Sequence, residues 1–301
     1  MIRQPVTDLY VIDLDQPRRG FHHFISSWVY KKRNTSVLVD PGPASTIPVL
    51  LKALASLDVT RLDVILITHI HIDHVGGLGL LLKQFPEARV LCHRRVVRHL
   101  VDPSKLWKGS QKILGFLAEL YGPIEPVPEA NIAPDYFVRG DDMTIETIET
   151  PGHASHHVCY RLDDILFIGE VAGVTFPTER GLYLRVASPA RFVYEEYRQS
   201  IMKAAGIDAL HLCFAHYGYR RKTGSSLFTA ACDQIDLWLE IVETHLSSGD
   251  NDFFSSVFNE ILRRDPSMGL FTTLPFDVQE RERYFVANSI EGMRKYLEER
   301  G

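Results

Sequence analysis

Residues 61–77, RLDVILITHIHIDHVGG, run an almost unbroken apolar segment straight into a cluster of side chains that bind metals. An apolar run this continuous predicts a strand covered on both faces, because a strand with one wet face would alternate polar and apolar residues. It ends in His69, His71, Asp73 and His74, three histidines and one aspartate within six positions. His69 and His71 are two apart, so in extended geometry their side chains point to the same side. Asp73 and His74 fall where the chain turns into the following helix and can be aimed at a neighbouring point. Gly76 and Gly77 allow the backbone to approach closely there. Neutral imidazoles plus a carboxylate form a nitrogen and oxygen donor set suited to zinc, iron or manganese.

On either side of this segment the chain alternates strands and helices. LYVIDLD at 9–15, FISSWVY at 24–30 and TSVLVD at 35–40 predict strands, the last ending in the loop Asp40-Pro41-Gly42-Pro43. STIPVLLKALASLD predicts a helix with Ser45 as its N-cap, and His74 to Phe85 predicts another. ARVLCH is a further strand, 94–122 reads as helical with a break at Pro103, and 123–136 reads as a loop. A second strand-rich block follows in MTIETIET, HHVCYRL, ILFIGE and LYLRVAS, then a helix in ARFVYEEYRQSIMKAAG and a strand in DALHLCFAHYG. Two such blocks predict two similar halves packed as a sandwich of sheets covered by helices, an α/β class. Residues 1–224 then form one catalytic domain, and 225–301 a helical extension packed on it. Within the extension, Phe253, Phe254, Val257, Phe258, Ile261 and Leu262 recur at helical spacing. That stripe reads as core-facing, with a homodimer contact as the alternative.

The formal net charge of −5 and the lack of a long basic run argue against nucleic acid as a partner. Arg220-Arg221-Lys222 is the densest basic spot and reads as a solvated loop. No apolar run approaches the roughly eighteen residues of a membrane helix, and MIRQPVTDLYVIDLD lacks the apolar core of a signal peptide. The expectation is a cytoplasmic protein with no membrane partner. Cys92, Cys159, Cys213 and Cys232 form no CxxC pair, and the first three sit in apolar strands, which predicts reduced core thiols.

Further candidate ligands lie at strand-to-loop junctions: His153 in TPGHASHH, Glu170 in FIGE and His216 in FAHYG. With the first cluster they would complete a ligand set for two metals. The pattern HxHxDH at His69, His71, Asp73 and His74, with the later motifs in the same order, resembles the metallo-β-lactamase superfamily across about residues 8–220. The resemblance implies a four-layer αββα sandwich with the metals at one edge of the two sheets. It implies that His69, His71 and His153 bind one ion, that Asp73, His74 and His216 bind a second, and that Glu170 bridges both. Asp40 and His157 would then support the ligands through hydrogen bonds, with His156 structural. One departure stands out: the family's bridging position is normally Asp, and here it is Glu170.

Such a site would hold two divalent ions, zinc first and iron or manganese as options, and would turn a metal-bound hydroxide on a small-molecule substrate. Asp73 would orient that hydroxide and take its proton. Tyr217 and Tyr219 are the nearest candidates to stabilise an oxyanion. Ester, thioester or lactone hydrolysis ranks first, with a phosphodiesterase or an iron-dependent persulfide dioxygenase as alternatives.

Overall fold

The computed structural model describes residues 1–133, 137–139, 143–188, 191–248 and 252–300. Its first sheet has six strands in sequence order: β1 (Ile2–Val6), β2 (Leu9–Asp13), β3 (Ser26–Lys32), β4 (Thr35–Val39), β5 (Val64–Leu66) and β6 (Arg89–Leu91). The first four are antiparallel, whereas β5 runs parallel to both β4 and β6. The second sheet uses β7 (Phe137–Arg139), β8 (Thr144–Glu149), β9 (Val158–Leu162), β10 (Ile165–Gly169), β13 (His211–Phe214) and β14 (Tyr219–Arg221), in the order β14-β13-β10-β9-β8-β7. A separate hairpin pairs β11 (Val174–Thr178) with β12 (Gly181–Arg185).

Continuous apolar strands are buried on both faces because successive residues face different layers. In β4, Val37 and Val39 pack between the sheets, while Leu38 joins the helices outside. In β10, Ile165 and Phe167 face the partner sheet, and Leu166 and Ile168 face the opposite layer. Hydrogen bonds tie the two sheets together: the Trp28 indole N–H donates to Phe214 O at 2.9 Å, and the Tyr160 hydroxyl reaches Ile67 O at 3.0 Å and Leu91 O at 2.9 Å.

Helices cover both outer faces and complete the αββα sandwich. Against the first sheet lie α1 (Ile47–Ser56), α2 (Ile72–Val75), α3 (Leu78–Leu82), α4 (Val97–Val101), α5 (Ser104–Leu114) and α6 (Phe116–Tyr121). Against the second lie α7 (Tyr194–Ala205), α8 (Ser226–Ser248), α9 (Phe253–Arg264) and α10 (Phe276–Glu298). These last helices share one apolar cluster with strands β9, β10 and β13, so the C-terminal region adds to the core of the second half. Val257, Phe258 and Ile261 are fully buried in it and Phe253, Phe254 and Leu262 pack at its margin, so the stripe on α9 faces the core.

Several local expectations are corrected. Ser45 does not cap α1: its hydroxyl donates to Gln16 Oε1 at 3.2 Å, and the helix starts two residues later behind a short 3-10 turn, with Pro48 in its first turn. The helix expected from His74 to Phe85 breaks into α2 and α3 at Gly76-Gly77. A Cβ on Gly77 would lie 2.4 Å from Ile47 Cδ1, so the break lets the chain pass close under α1. Strands β1 and β11 were not expected from the sequence; each carries a proline, which suits a strand with one unpaired edge. The basic spot is not a solvated loop: Arg220 and Arg221 lie in β14, and the Lys222 ammonium is held by Ala205 O and Ile207 O at the C-terminal end of α7. All four cysteines are free and buried. Among the described residues no helix is long and apolar enough to cross a membrane.

Candidate metal centre

The ends of the central strands converge at one edge of the sandwich. Asp40 follows β4, Thr68 to His74 follow β5, His153 lies between β8 and β9, Glu170 follows β10 and His216 follows β13. Two ligand groups form there, one of His69, His71, His153 and Glu170, the other of Asp73, His74 and His216. Within each group the donor atoms all lie within 4.8 Å of one another.

In the first group the imidazole nitrogens face one another. His71 Nδ1 is 3.1 Å from His69 Nε2 and 2.9 Å from His153 Nε2. The remote nitrogens of the other two rings are already engaged: His69 Nδ1 with Thr68 Oγ1 at 3.0 Å, and His153 Nδ1 with Ala187 O at 2.7 Å. A carbonyl accepts only from N–H, so Nδ1 of His153 carries the proton and Nε2 presents its lone pair inward. Burial and the neighbouring His153 push His71 down to about 3, which keeps this ring neutral. Converging lone pairs of neutral imidazoles suit a divalent cation.

In the second group His74 decides the fit. Its ring is fully buried, and neither Nδ1 nor Nε2 has a hydrogen-bond partner. Carboxylates surround it at longer range: Asp73 Oδ2 at 3.4 Å, Glu170 Oε2 at 3.5 Å and Asp40 Oδ2 at 3.7 Å. Burial opposes charge on this ring, yet the carboxylates outweigh it and raise its proton affinity above the ordinary value. The same field favours a metal cation in place of that proton. Burial also works against the Asp73 carboxylate, but His74 and His216 hold it ionised, well below its usual range. His216 Nδ1 engages Phe24 O at 3.2 Å, leaving Nε2 turned toward Glu170 Oε1 at 3.4 Å and Asp73 Oδ2 at 3.8 Å.

Glu170 lies between the groups. Its Oε2 is 3.0 Å from His153 Nε2, 3.4 Å from His69 Nε2 and 3.5 Å from His74 Nε2, and its Oε1 faces His216. His157 holds its backbone: Nδ1 pairs with Thr150 Oγ1 at 2.8 Å, and Nε2 accepts from Glu170 N at 3.1 Å. Gly169 is needed beside it, because φ is +54° and a Cβ there would sit 2.3 Å from His157 Nε2. Asp40 also sits in left-handed backbone, at φ 52°, and accepts from Thr68 N at 2.9 Å and Thr68 Oγ1 at 2.6 Å. His156 takes the Ile70 N–H at 3.2 Å.

The two tyrosines part company. Tyr219 bonds to His211 Nδ1 at 2.8 Å in the β13–β14 pairing, which engages its hydroxyl outside the ligand groups. Tyr217 is buried, packs on Phe24 and Phe176, and its hydroxyl has no partner. Tyr121, which sequence reasoning passed over inside a helical stretch, has the same property: it is 2% exposed with an unpartnered hydroxyl, on a helix packed against α2. No local signal separates it from an ordinary core tyrosine.

Residues 21–216 match the model of the metallo-beta-lactamase superfamily. The chain belongs to that superfamily. Over 207 residues it is 30% identical to the metallo-beta-lactamase fold-containing protein ST1585 of Sulfurisphaera tokodaii, covering 66% of this chain and 74% of that protein. It is 32% identical over 149 residues to the hydroxyacylglutathione hydrolase of Aeromonas salmonicida, a match spanning 48% of this chain and 44% of that enzyme. The crystal structure of ST1585 superposes with a TM-score of 0.70 at 23% identity, covering 97% of this chain and all of that one. A superfamily protein from Thermus thermophilus superposes with a TM-score of 0.66 at 17% identity, over 98% and 95% of the two chains. Both superpositions cover the C-terminal helices as well as the sandwich.

Proposed function

We propose that this chain is a hydrolase using two divalent ions, zinc first, to cleave an ester, thioester or lactone bond of a small molecule. The observation that carries the reading is Glu170 reaching both ligand groups, with the buried His74 ring unpartnered between three carboxylates. His69, His71 and His153 would hold one ion, and Asp73, His74 and His216 the other. Ions held there would lower the pKa of water and polarise the carbonyl oxygen.

The remaining work falls to the chain itself. Asp73, ionised and partly exposed, accepts the proton released when water adds to the carbonyl. Burial holds the phenol of Tyr217, the residue after His216, protonated, so it would be a neutral donor for a substrate oxygen that reached it. Thr68, Ala187 and Phe24 orient the ligand rings from behind through the hydrogen bonds given above. The similarity to hydroxyacylglutathione hydrolases supports a thioester as the first substrate class to try.

The test is anaerobic purification with metal quantification, then assay against thioesters, lactones and phosphodiesters. Two equivalents of metal with turnover of a thioester or lactone is the expected result. Iron at one equivalent, with persulfide-dependent oxygen uptake and no hydrolysis, would overturn it.

A further inference from the structure

The helical extension meets the metal centre through Phe24. This ring, 1% exposed, stacks on the His216 imidazole with centroids 4.1 Å apart and planes 17° from parallel. Its own carbonyl engages His216 Nδ1, and it also accepts the Tyr217 N–H at 3.0 Å. Ile25 pairs with His216 in an isolated β-bridge. Phe24 therefore touches both the face and the edge of one candidate ligand.

The same ring carries the guanidinium of Arg281, from α10, with its carbon 4.1 Å from the ring centroid. Arg281 is 4% exposed and held on several sides. It donates to Gly20 O, and its Nε and Nη2 reach Glu282 Oε1 at 3.1 and 2.9 Å. Asp277, a turn earlier on α10, accepts the Gly20 N–H at 2.9 Å. Two residues of α10 thus grip the loop that delivers Phe24, and a third side chain, Phe285, lies 5.8 Å from Phe24 centroid to centroid. A cation over an aromatic face is attractive, more so when desolvated, and a planar guanidinium suits such a stack better than an ammonium.

We propose that Arg281 and Phe24 are positioning residues for the second metal subsite: α10 fixes the His216 imidazole through an Arg281–Phe24–His216 stack. The inference rests on the two-ion reading above and deepens it, by giving the C-terminal helices a part in holding one ion and not the other. His69, His71 and His153 have no contact of this kind with α10, so the two subsites should respond differently.

The experiment is stepwise zinc uptake by the metal-depleted full chain, followed by calorimetry, with cobalt(II) absorption read in parallel. His71→Ala and His74→Ala assign each step to its subsite. Phe24→Leu keeps the backbone carbonyl on His216 and removes only the aromatic face. It should weaken the step lost in His74→Ala by about tenfold or more and leave the other step as in wild type. Arg281→Met should shift the same step in the same direction, and Arg281→Lys should restore part of the loss. Thermal unfolding of each metal-depleted variant separates this from loosening of the whole fold. If Phe24→Leu binds both ions as wild type does, or weakens both steps equally, the inference is overturned. If wild type takes up only one equivalent, the two-ion reading falls and the inference falls with it.

Discussion

Replacing Glu282 by Gln tests whether the buried charges of α10 hold the C-terminal helices on the core. Glu282 is 1% exposed and accepts from Arg185 Nε at 2.6 Å, the Tyr183 hydroxyl at 3.0 Å, and Arg281 Nε and Nη2 at 3.1 and 2.9 Å. Arg185 is 3% exposed and Arg281 4%, so the glutamine variant leaves two desolvated guanidiniums without a counter-charge. Breaking a buried pair from one side costs about 3–5 kcal/mol. Burial alone would raise the Glu282 carboxyl, but Arg185 and Arg281 outweigh it and bring it from an ordinary 4.5 to about 2. That lowering corresponds to about 3 kcal/mol of stabilisation of the ionised form, in line with the first figure. Because the folded value is the depressed one, this stabilisation is complete above about pH 4.5 and fades as pH falls toward 2. Urea unfolding of the metal-depleted proteins at pH 7 should therefore place Glu282→Gln about 3–5 kcal/mol below wild type, a drop of roughly 10 °C in Tm. The gap should narrow only in strong acid. A difference under about 1 kcal/mol at pH 7, or a gap that closes by pH 5, would refute the claim that this carboxylate works as a buried anion.

Three other substitutions probe the site. Asp73→Ala should lower turnover by about 100-fold or more while the unfolding transition stays in place, measured by steady-state kinetics beside circular dichroism; near-wild-type hydrolysis would remove Asp73 from the proton-transfer role. Glu170→Asp should reduce bound metal from two equivalents toward one, because the carboxylate retreats by one bond of about 1.5 Å from imidazoles now 3.0 to 3.5 Å away; metal analysis after dialysis reads it. Gly169→Ala puts a side chain into left-handed backbone and against His157, so about 2 kcal/mol or more of stability should be lost together with metal retention, read by unfolding and metal content.

What the amino-acid order reveals differs by feature for physical reasons. The cluster from His69 to His74 is legible because its ligands are local: one strand end and one turn place four donors together. Glu170 and His216 are visible as polar residues at the ends of apolar strands and His153 as one in the loop between β8 and β9, although their meeting depends on two sheets closing. The two-layer packing is readable because β4, β5 and β10 have no polar face to give to water. The clamp on Phe24 is not readable. QERERYF looks like a solvated helix face, and only tertiary contact buries Arg281 and Glu282 while leaving Arg283 and Tyr284 on a different side. Phe24 resembles any core aromatic, and Tyr121 any residue of an amphipathic helix. The break between α2 and α3 also escapes a pattern reading, since the apolar spacing continues through it while the Gly77 N–H leaves the helix ladder for Gly42 O.

Glu170 reaches both ligand groups from a rigid anchor. Its backbone is held on every side: N–H to His157 Nε2, and the carbonyl accepting the Gly173 N–H at 2.9 Å and the Tyr197 hydroxyl at 3.2 Å. The positive φ of Gly169 fixes the direction in which the chain leaves β10. With its origin set so firmly, the side chain cannot compensate for a change of length by sliding the main chain. A glutamate that reaches nitrogens of both ligand groups from this anchor is therefore matched in length to the separation between the groups. His157 and Tyr197 hold that backbone where it is, so an aspartate at position 170 would stop about one bond of 1.5 Å short of the same nitrogens. With the backbone fixed, Glu170→Asp should therefore lose contact with one ligand group instead of drawing the two groups together.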